Sequence, residues 1–197
     1  MPTPSRAEAL ALVHEWTQSA SLRGHMLAVE AAMRAYATRS CADPDHWGIA
    51  GLVHDFDYER YPNAEQRADA EHPTTGVQHL RSLGYPDDIC DAILGHARYT
   101  GVPRVTPLAK TLFAVDELCG LVTATALVRP SKSVLEVEPR SVLKKFKDKA
   151  FARGVSREDI TDGAAELGVL LEEHIGIVIS ALQGIAGELG LAGPATP

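Results

Sequence analysis

Gly51-Leu52-Val53-His54-Asp55-Phe56-Asp57-Tyr58 ends an apolar helical run on an adjacent histidine and aspartate, with two further proton-handling side chains just behind them. Imidazole beside carboxylate on one helix is half of a site for a divalent transition metal. Whether the pair matters depends on further donors that a helical fold can bring to the same point.

Outward from this stretch the apolar period is helical almost everywhere, and strand-like alternation is scarce. Ser5 and Glu8 form a capping-box pair ahead of a helix that runs to about Gln18. A second helix starts near Leu22 with one apolar seam through Met26, Val29, Met33 and Tyr36, and His25 lies on its flank. Asp43-Pro44 reads as an N-cap and first turn, opening the helix that ends in His54. Residues 58–71 turn polar and read as a loop. His72-Pro73 places a histidine at the N-cap of a helix ending near Gly84. Pro86 opens another helix, with Ile89, Ile93 and His96 on one side, broken by Gly101 and Pro103. Thr106-Pro107 starts a helix whose seam passes through Leu108, Leu112, Val115, Cys119 and Val122, with Asp116 beside it. Ser156 and Asp159 cap a last helical region reaching about Leu189, which Gly163 and Gly168 are placed to divide. The tail from Gly193 is expected to fray. With no internal repeat and no dividing linker, residues 1–197 are expected to form a single all-α domain.

His25, His54, Asp55, His72, His96 and Asp116 thus all fall at seam edges or helix ends, on separate helices in the first two-thirds of the chain. Taken singly, each has an ordinary structural explanation. Together they are positions that packed antiparallel helices can bring to one point, as helix bundles do for di-iron sites. Thiolates are missing from the pattern. Cys41, Cys90 and Cys119 are odd in number and far apart, giving neither a disulfide framework nor a zinc motif, and read as buried free thiols in a reducing compartment.

Composition sets the outer bounds. With 19 basic against 26 acidic residues the net charge is −7, which argues against a general nucleic-acid binder. The apolar fraction of 45% suits a globular chain, and 197 residues suffice for a substantial core. No apolar run approaches the roughly 20 residues a membrane span needs, and Met1-Pro2-Thr3-Pro4-Ser5 has no signal-peptide character, so the cytoplasm is expected. Residues 129–153 form a local basic region in which Arg129, Lys132, Lys144 and Lys145 are candidate contacts for an anionic substrate; charge runs are otherwise solvated faces.

The order His25, His54-Asp55, Asp116, with the apolar lead-in Gly51-Leu52-Val53, resembles the HD domain superfamily of metal-dependent phosphohydrolases over roughly residues 22–125. His72-Pro73 followed by Gly76 is similar to the His-Pro element of its two-metal members, and His96 matches their next histidine. The resemblance implies an all-helical fold holding one or two divalent ions (Mn, Fe, Mg, Co, Ni or Zn). His25, His54, Asp55 and Asp116 would be the shared ligands, with His72 and His96 completing a second ion and Asp55 bridging. It implies a small phosphorylated substrate, a nucleotide or another phosphate ester; Asp55 and, from its place just behind the pair, Asp57 are the candidate catalytic carboxylates. A possible homo-oligomer is compatible with the apolar last helix.

Two departures stand out. The family often follows His-Asp with Ile-Gly-Lys, whereas this chain has Phe56-Asp57-Tyr58 and so lacks the lysine that contacts phosphate. Asp57 then either orients a ligand histidine or a water, or serves as a cap or surface pair. His79, seven residues after His72, is the rival ligand on that helix face, the adjacent proline favouring His72; His14, His46 and His174 read as structural. Besides hydrolysis, the ligand set admits an HD-fold di-iron oxygenase or a binding module that keeps its metal as a staple.

Overall fold

The computed structural model describes residues 4–194 and is all-helical. Among the described residues nine α-helices run in order: α1 Arg6–Trp16, α2 Ala20–Arg39, α3 Pro44–Val53, α4 Thr74–Ser82, α5 Asp87–His96, α6 Pro107–Leu127, α7 Pro139–Lys147, α8 Arg157–Leu167 and α9 Leu171–Gly184. Among the described residues, the one β-type pairing is an isolated bridge between Ser133 and Ala192. No helix among them is long and apolar enough to cross a membrane.

The local signals act as the capping rules require. Ser5 and Glu8 close a reciprocal box on α1. Asp43 accepts from the amides of Asp45 and His46 ahead of Pro44, and Thr106 accepts from Ala109 N at 3.1 Å ahead of Pro107. Ser156 caps α8, and Gly168 ends it with a left-handed φ of 68°.

α6 is the central helix, packed against α2, α5, α7, α8 and α9. It can sit there because it is apolar on nearly every face: Leu108, Leu112, Val115, Leu118 and Leu121 are all buried. Each such side chain contributes roughly 1.5–3 kcal/mol on full burial. Two glycines set the closest approaches. A Cβ on Gly163 would lie 2.5 Å from Ala114 Cα, so α8 seats its backbone against α6 there. A Cβ on Gly51 would lie 3.0 Å from the Glu30 backbone, which brings α3 against α2 one turn before His54.

Several boundaries differ from the sequence expectation. α2 begins at Ala20, because Ser19 supplies the cap to Leu22 N. The N-cap position of α4 is Pro73 rather than His72, with no side-chain cap of its own. The basic stretch contains α7, whose lysines lie opposite an apolar side of Val142, Leu143 and Phe146. Gly168 divides the last helical region, whereas Gly163 lies inside α8. Cys41 is exposed at the end of α2, with a φ of 54°, and is not a buried thiol; Cys90 and Cys119 are buried and free. The chain end is held as far as Ala192, by Val134 N on Leu191 O at 2.8 Å and by the Ser133 bridge. Residues 1–3 and 195–197, on which the leader reading and part of the frayed-tail reading fall, lie outside the described residues.

Candidate metal centre

Five segments deliver the donors. His25 comes from the second turn of α2 and His54 from the C-cap of α3, with Asp55 following it. His72 comes from the loop before α4, His96 is the last residue of α5, and Asp116 lies midway along α6. They form two triads, His25/His54/Asp116 and Asp55/His72/His96, in each of which one donor atom per residue lies within 4.8 Å of the others. All six residues expected from the sequence are therefore brought together.

Asp55 joins the triads. Its Oδ2 faces His54 Nε2 at 3.5 Å and His25 Nε2 at 3.8 Å, while its Oδ1 faces His72 Nε2 at 3.4 Å and His96 Nε2 at 3.6 Å. Asp116 Oδ1 lies 2.9 Å from His25 Nε2 and 3.5 Å from His54 Nε2. The two oxygens of one carboxylate thus address different histidine pairs.

The imidazoles are oriented from behind. His54 Nδ1–H donates to the Gly51 carbonyl at 2.8 Å, the helical i−3 position. His96 Nδ1 makes the same type of contact with the Ile93 carbonyl, and His72 Nδ1 lies 2.7 Å from Asp57 Oδ1. Each leaves an Nε2 lone pair turned inward, the tautomer that metal ligation needs. His54 is fully buried, and its Nε2 has no hydrogen-bond partner. A buried ring nitrogen facing two carboxylates is a place where positive charge is favoured, and so the residues present fit a divalent metal.

The electrostatics likewise favour positive charge at this point. Burial works against charge on His54, but Asp55 and Asp116 hold its pKa well above the usual 6.5. His96 is raised against its own burial by the same two carboxylates. Burial alone would lift Asp55 and Asp116; the surrounding histidines instead hold both below the usual carboxylate range. Beside them Glu117 is pushed up to about 7 by burial and by the Asp116 charge.

Sequence reasoning left several supporting residues unassigned. Asn63, 8% exposed, donates to the carbonyls of Arg67, Ala70 and His72 and accepts from Arg67 N at 2.8 Å, so one amide organises the whole polar loop behind His72. Tyr99 donates to the same His72 carbonyl at 3.0 Å. Pro62-Asn63 was the available signal, since asparagine in a polar loop commonly bonds nearby backbone. Asp57, 0% exposed, is no surface pair; it takes His72 on one oxygen and the Gly76 amide at 2.7 Å on the other. His79 lies against Trp16 at 4.5 Å between ring centroids and is outside the cluster. His174 and His46 have structural partners, in Tyr36 and Asp88 respectively.

The triads open into a cavity of about 670 Å³. Tyr58, Tyr99 and Phe113 form its aromatic walls, and Glu117, Glu158 and Asp159 make its rim acidic. Arg129, Lys132, Lys144 and Lys145 do not line it. The apolar side of α7 packs on α6 and α9, which turns its lysines outward; Lys144 is exposed and Lys145 lies over the Phe151 ring. Arg129 approaches Glu136 at 3.4 Å. Among the described residues, the lysine or arginine that does line the cavity is Arg98, already bound to Asp159 and Asp162.

Fold and donors together define an all-helical protein built around a mixed histidine–carboxylate site with one shared aspartate. The HD domain family model matches residues 22–121, the span from the start of α2 to the donor of α6 and just beyond, and the chain belongs to this family. Family members bind divalent metals, which the two triads suit. Comparison with curated proteins and with solved structures returns no match.

Proposed function

We propose that this protein is a metal-dependent phosphohydrolase acting on a small phosphate ester. The observation behind this reading is the division of Asp55, whose two oxygens face two different histidine pairs as a bridging carboxylate must. Divalent ions, when bound, supply Lewis acidity for displacement at phosphorus and bring the pKa of water toward about 7. His25, His54 and Asp116 would hold one ion and His72 and His96 the other, with Asp55 common to both.

The chain's own contribution is orientation of the donors and the shape of the cavity. Gly51, Ile93 and Asp57 fix three imidazoles with their lone pairs inward, so no rotamer search is left at the moment of binding. Tyr58, Tyr99 and Phe113 give the cavity aromatic lining, and its volume admits a small molecule but not a duplex. No lysine follows the His-Asp pair, so the phosphate charge would be met mainly by the metal site, with Arg98 as the cation on the wall.

Metal analysis of anaerobically purified protein and two assays test this. Phosphate release from a phosphoester panel with Mn²⁺ or Mg²⁺, lost in Asp55→Ala, is the expected result. Oxygen uptake by the ferrous protein without phosphate release transfers the site to a di-iron oxygenase. Inactivity in both with metal bound leaves a metal-stapled binding module.

A further inference from the structure

A second concavity, about 400 Å³, is lined by Phe146, Lys147, Lys149, Arg153, Val155 and Arg157. Four of its six walls are cationic and none is acidic, in a chain where acids outnumber bases 26 to 19. Among the described residues, the side chains of Lys147, Lys149 and Arg153 enter no ion pair or hydrogen bond. The one carboxylate beside them in sequence, Asp148, is turned to its own loop and accepts from Ala150 N at 3.0 Å. Surface lysines and arginines ordinarily gain from nearby carboxylates; here three converge on a hollow without one.

The hollow is also held in shape. Arg157 donates to the carbonyls of Ala152 at 2.6 Å, Val155 at 2.8 Å and Phe151 at 2.5 Å, which fastens the loop between α7 and α8. Its Nε is buried with no partner. Phe146 and Val155 add apolar surface to the floor. The loop contributes to both cavities in alternation: Gly154 and Ser156 line the metal cavity, Arg153, Val155 and Arg157 the basic one. This strip of backbone is therefore a shared wall. Ser156 N donates to Glu117 Oε2 at 3.1 Å, which ties this strip to α6 on the metal-cavity side.

We propose that this basic hollow is an anion site for the phosphate or pyrophosphate group of a small molecule, separate from the metal centre. Convergent, unneutralised cations over an apolar floor suit a phosphorylated compound with a ring or aliphatic part, since charge-assisted hydrogen bonds hold the phosphate while the floor takes the remainder. The inference does not rest on the phosphohydrolase reading, because binding here needs neither metal nor turnover.

The test is calorimetric titration of the full chain with inorganic pyrophosphate. Asp55→Ala removes the shared metal ligand and isolates this site. Saturable binding should persist in Asp55→Ala and weaken about tenfold or more when Lys149→Gln and Arg153→Gln are added, the loss expected for two charge-assisted contacts. Arg140→Gln, an exposed charge outside the hollow, should leave affinity within about twofold. Absence of saturable binding in Asp55→Ala overturns the proposal, as does equal weakening by Arg140→Gln. If the double substitution disturbs folding by circular dichroism, Lys147→Ala alone decides: unchanged affinity in that variant also overturns it.

Discussion

The carboxylate of Asp57 is divided between His72 and α4: Oδ1 lies 2.7 Å from His72 Nδ1, and Oδ2 accepts the Gly76 amide at 2.7 Å. Gly76 is the third residue of α4, whose own N-cap position offers no side-chain acceptor. One buried aspartate therefore orients a candidate ligand and caps a helix from outside it. Asp57→Ala should weaken metal binding by about 10–100-fold, the range for loss of a hydrogen-bond partner behind a ligand. Competition against a calibrated chelator measures this, and unchanged affinity would remove Asp57 from the site.

Gly76→Ala should reproduce the effect without touching a polar atom. The added Cβ would lie 2.5–2.8 Å from the Asp57 carboxylate atoms, so the carboxylate must move. A variant that folds with the affinity of Asp57→Ala is the expected outcome; wild-type affinity would show that the carboxylate has room to yield.

The division of Asp55 makes stoichiometry informative. The protein should load two equivalents of Mn²⁺ or Fe²⁺, His96→Ala and His25→Ala each should lose one, and Asp55→Ala should lose both. Elemental analysis after desalting reads the count. A wild type that loads one ion, with His96→Ala unaltered, would confine the metal to the His25/His54/Asp116 triad.

His174 provides a pH-dependent test of the core. Its Nε2–H donates to the Ala114 carbonyl at 2.8 Å, and its Nδ1 accepts the Tyr36 hydroxyl at 2.6 Å, so it is neutral. Burial lowers its pKa from 6.5. Below about pH 6.5 the unfolded chain binds a proton that the folded chain refuses, so this stability is complete above that pH and is lost as pH falls toward the folded value. Between pH 7.5 and 5.5 the denaturation midpoint of the wild type should drop further than that of His174→Gln. Tyr36→Phe, leaving Nδ1 buried and unpaired, should cost about 1–3 kcal/mol.

Gly163→Ala should destabilise by about 1–3 kcal/mol through overpacking, since the new Cβ meets backbone that cannot rotate away. Gly176→Ala is the control: its Cβ would find its nearest neighbour at 3.9 Å. Thermal or urea unfolding of the pair separates packing from helix propensity, and equal stabilisation of both would show that α6 and α8 move apart freely.

Much of the architecture was legible locally. Ser5-Glu8, Asp43-Pro44, Thr106-Pro107 and Ser156 are short-range capping chemistry, and the seam of α6 is a period; both survive folding unchanged. α7 is not evident when residues 129–153 are weighed for charge alone, although Val142, Leu143 and Phe146 keep the helical period. The six donors could be nominated in sequence because each sits at a seam edge or helix end. What remained hidden was long-range: Asp57 reaching across to α4, Asn63 gathering three carbonyls, and Lys144 and Lys145 turning away from the cavity.

By itself the chain determined its helices, their caps and the kinds of side chain available for a cation, because those depend on contacts a few residues apart. Only the tertiary structure decided that Asp55 faces two histidine pairs, that His79 goes to Trp16 and His72 to the cluster, and that the unpaired cations border a different hollow from the metal cavity. Such choices depend on which helix faces meet, and burial of the apolar α6 surface bears on that more than any spacing along the chain.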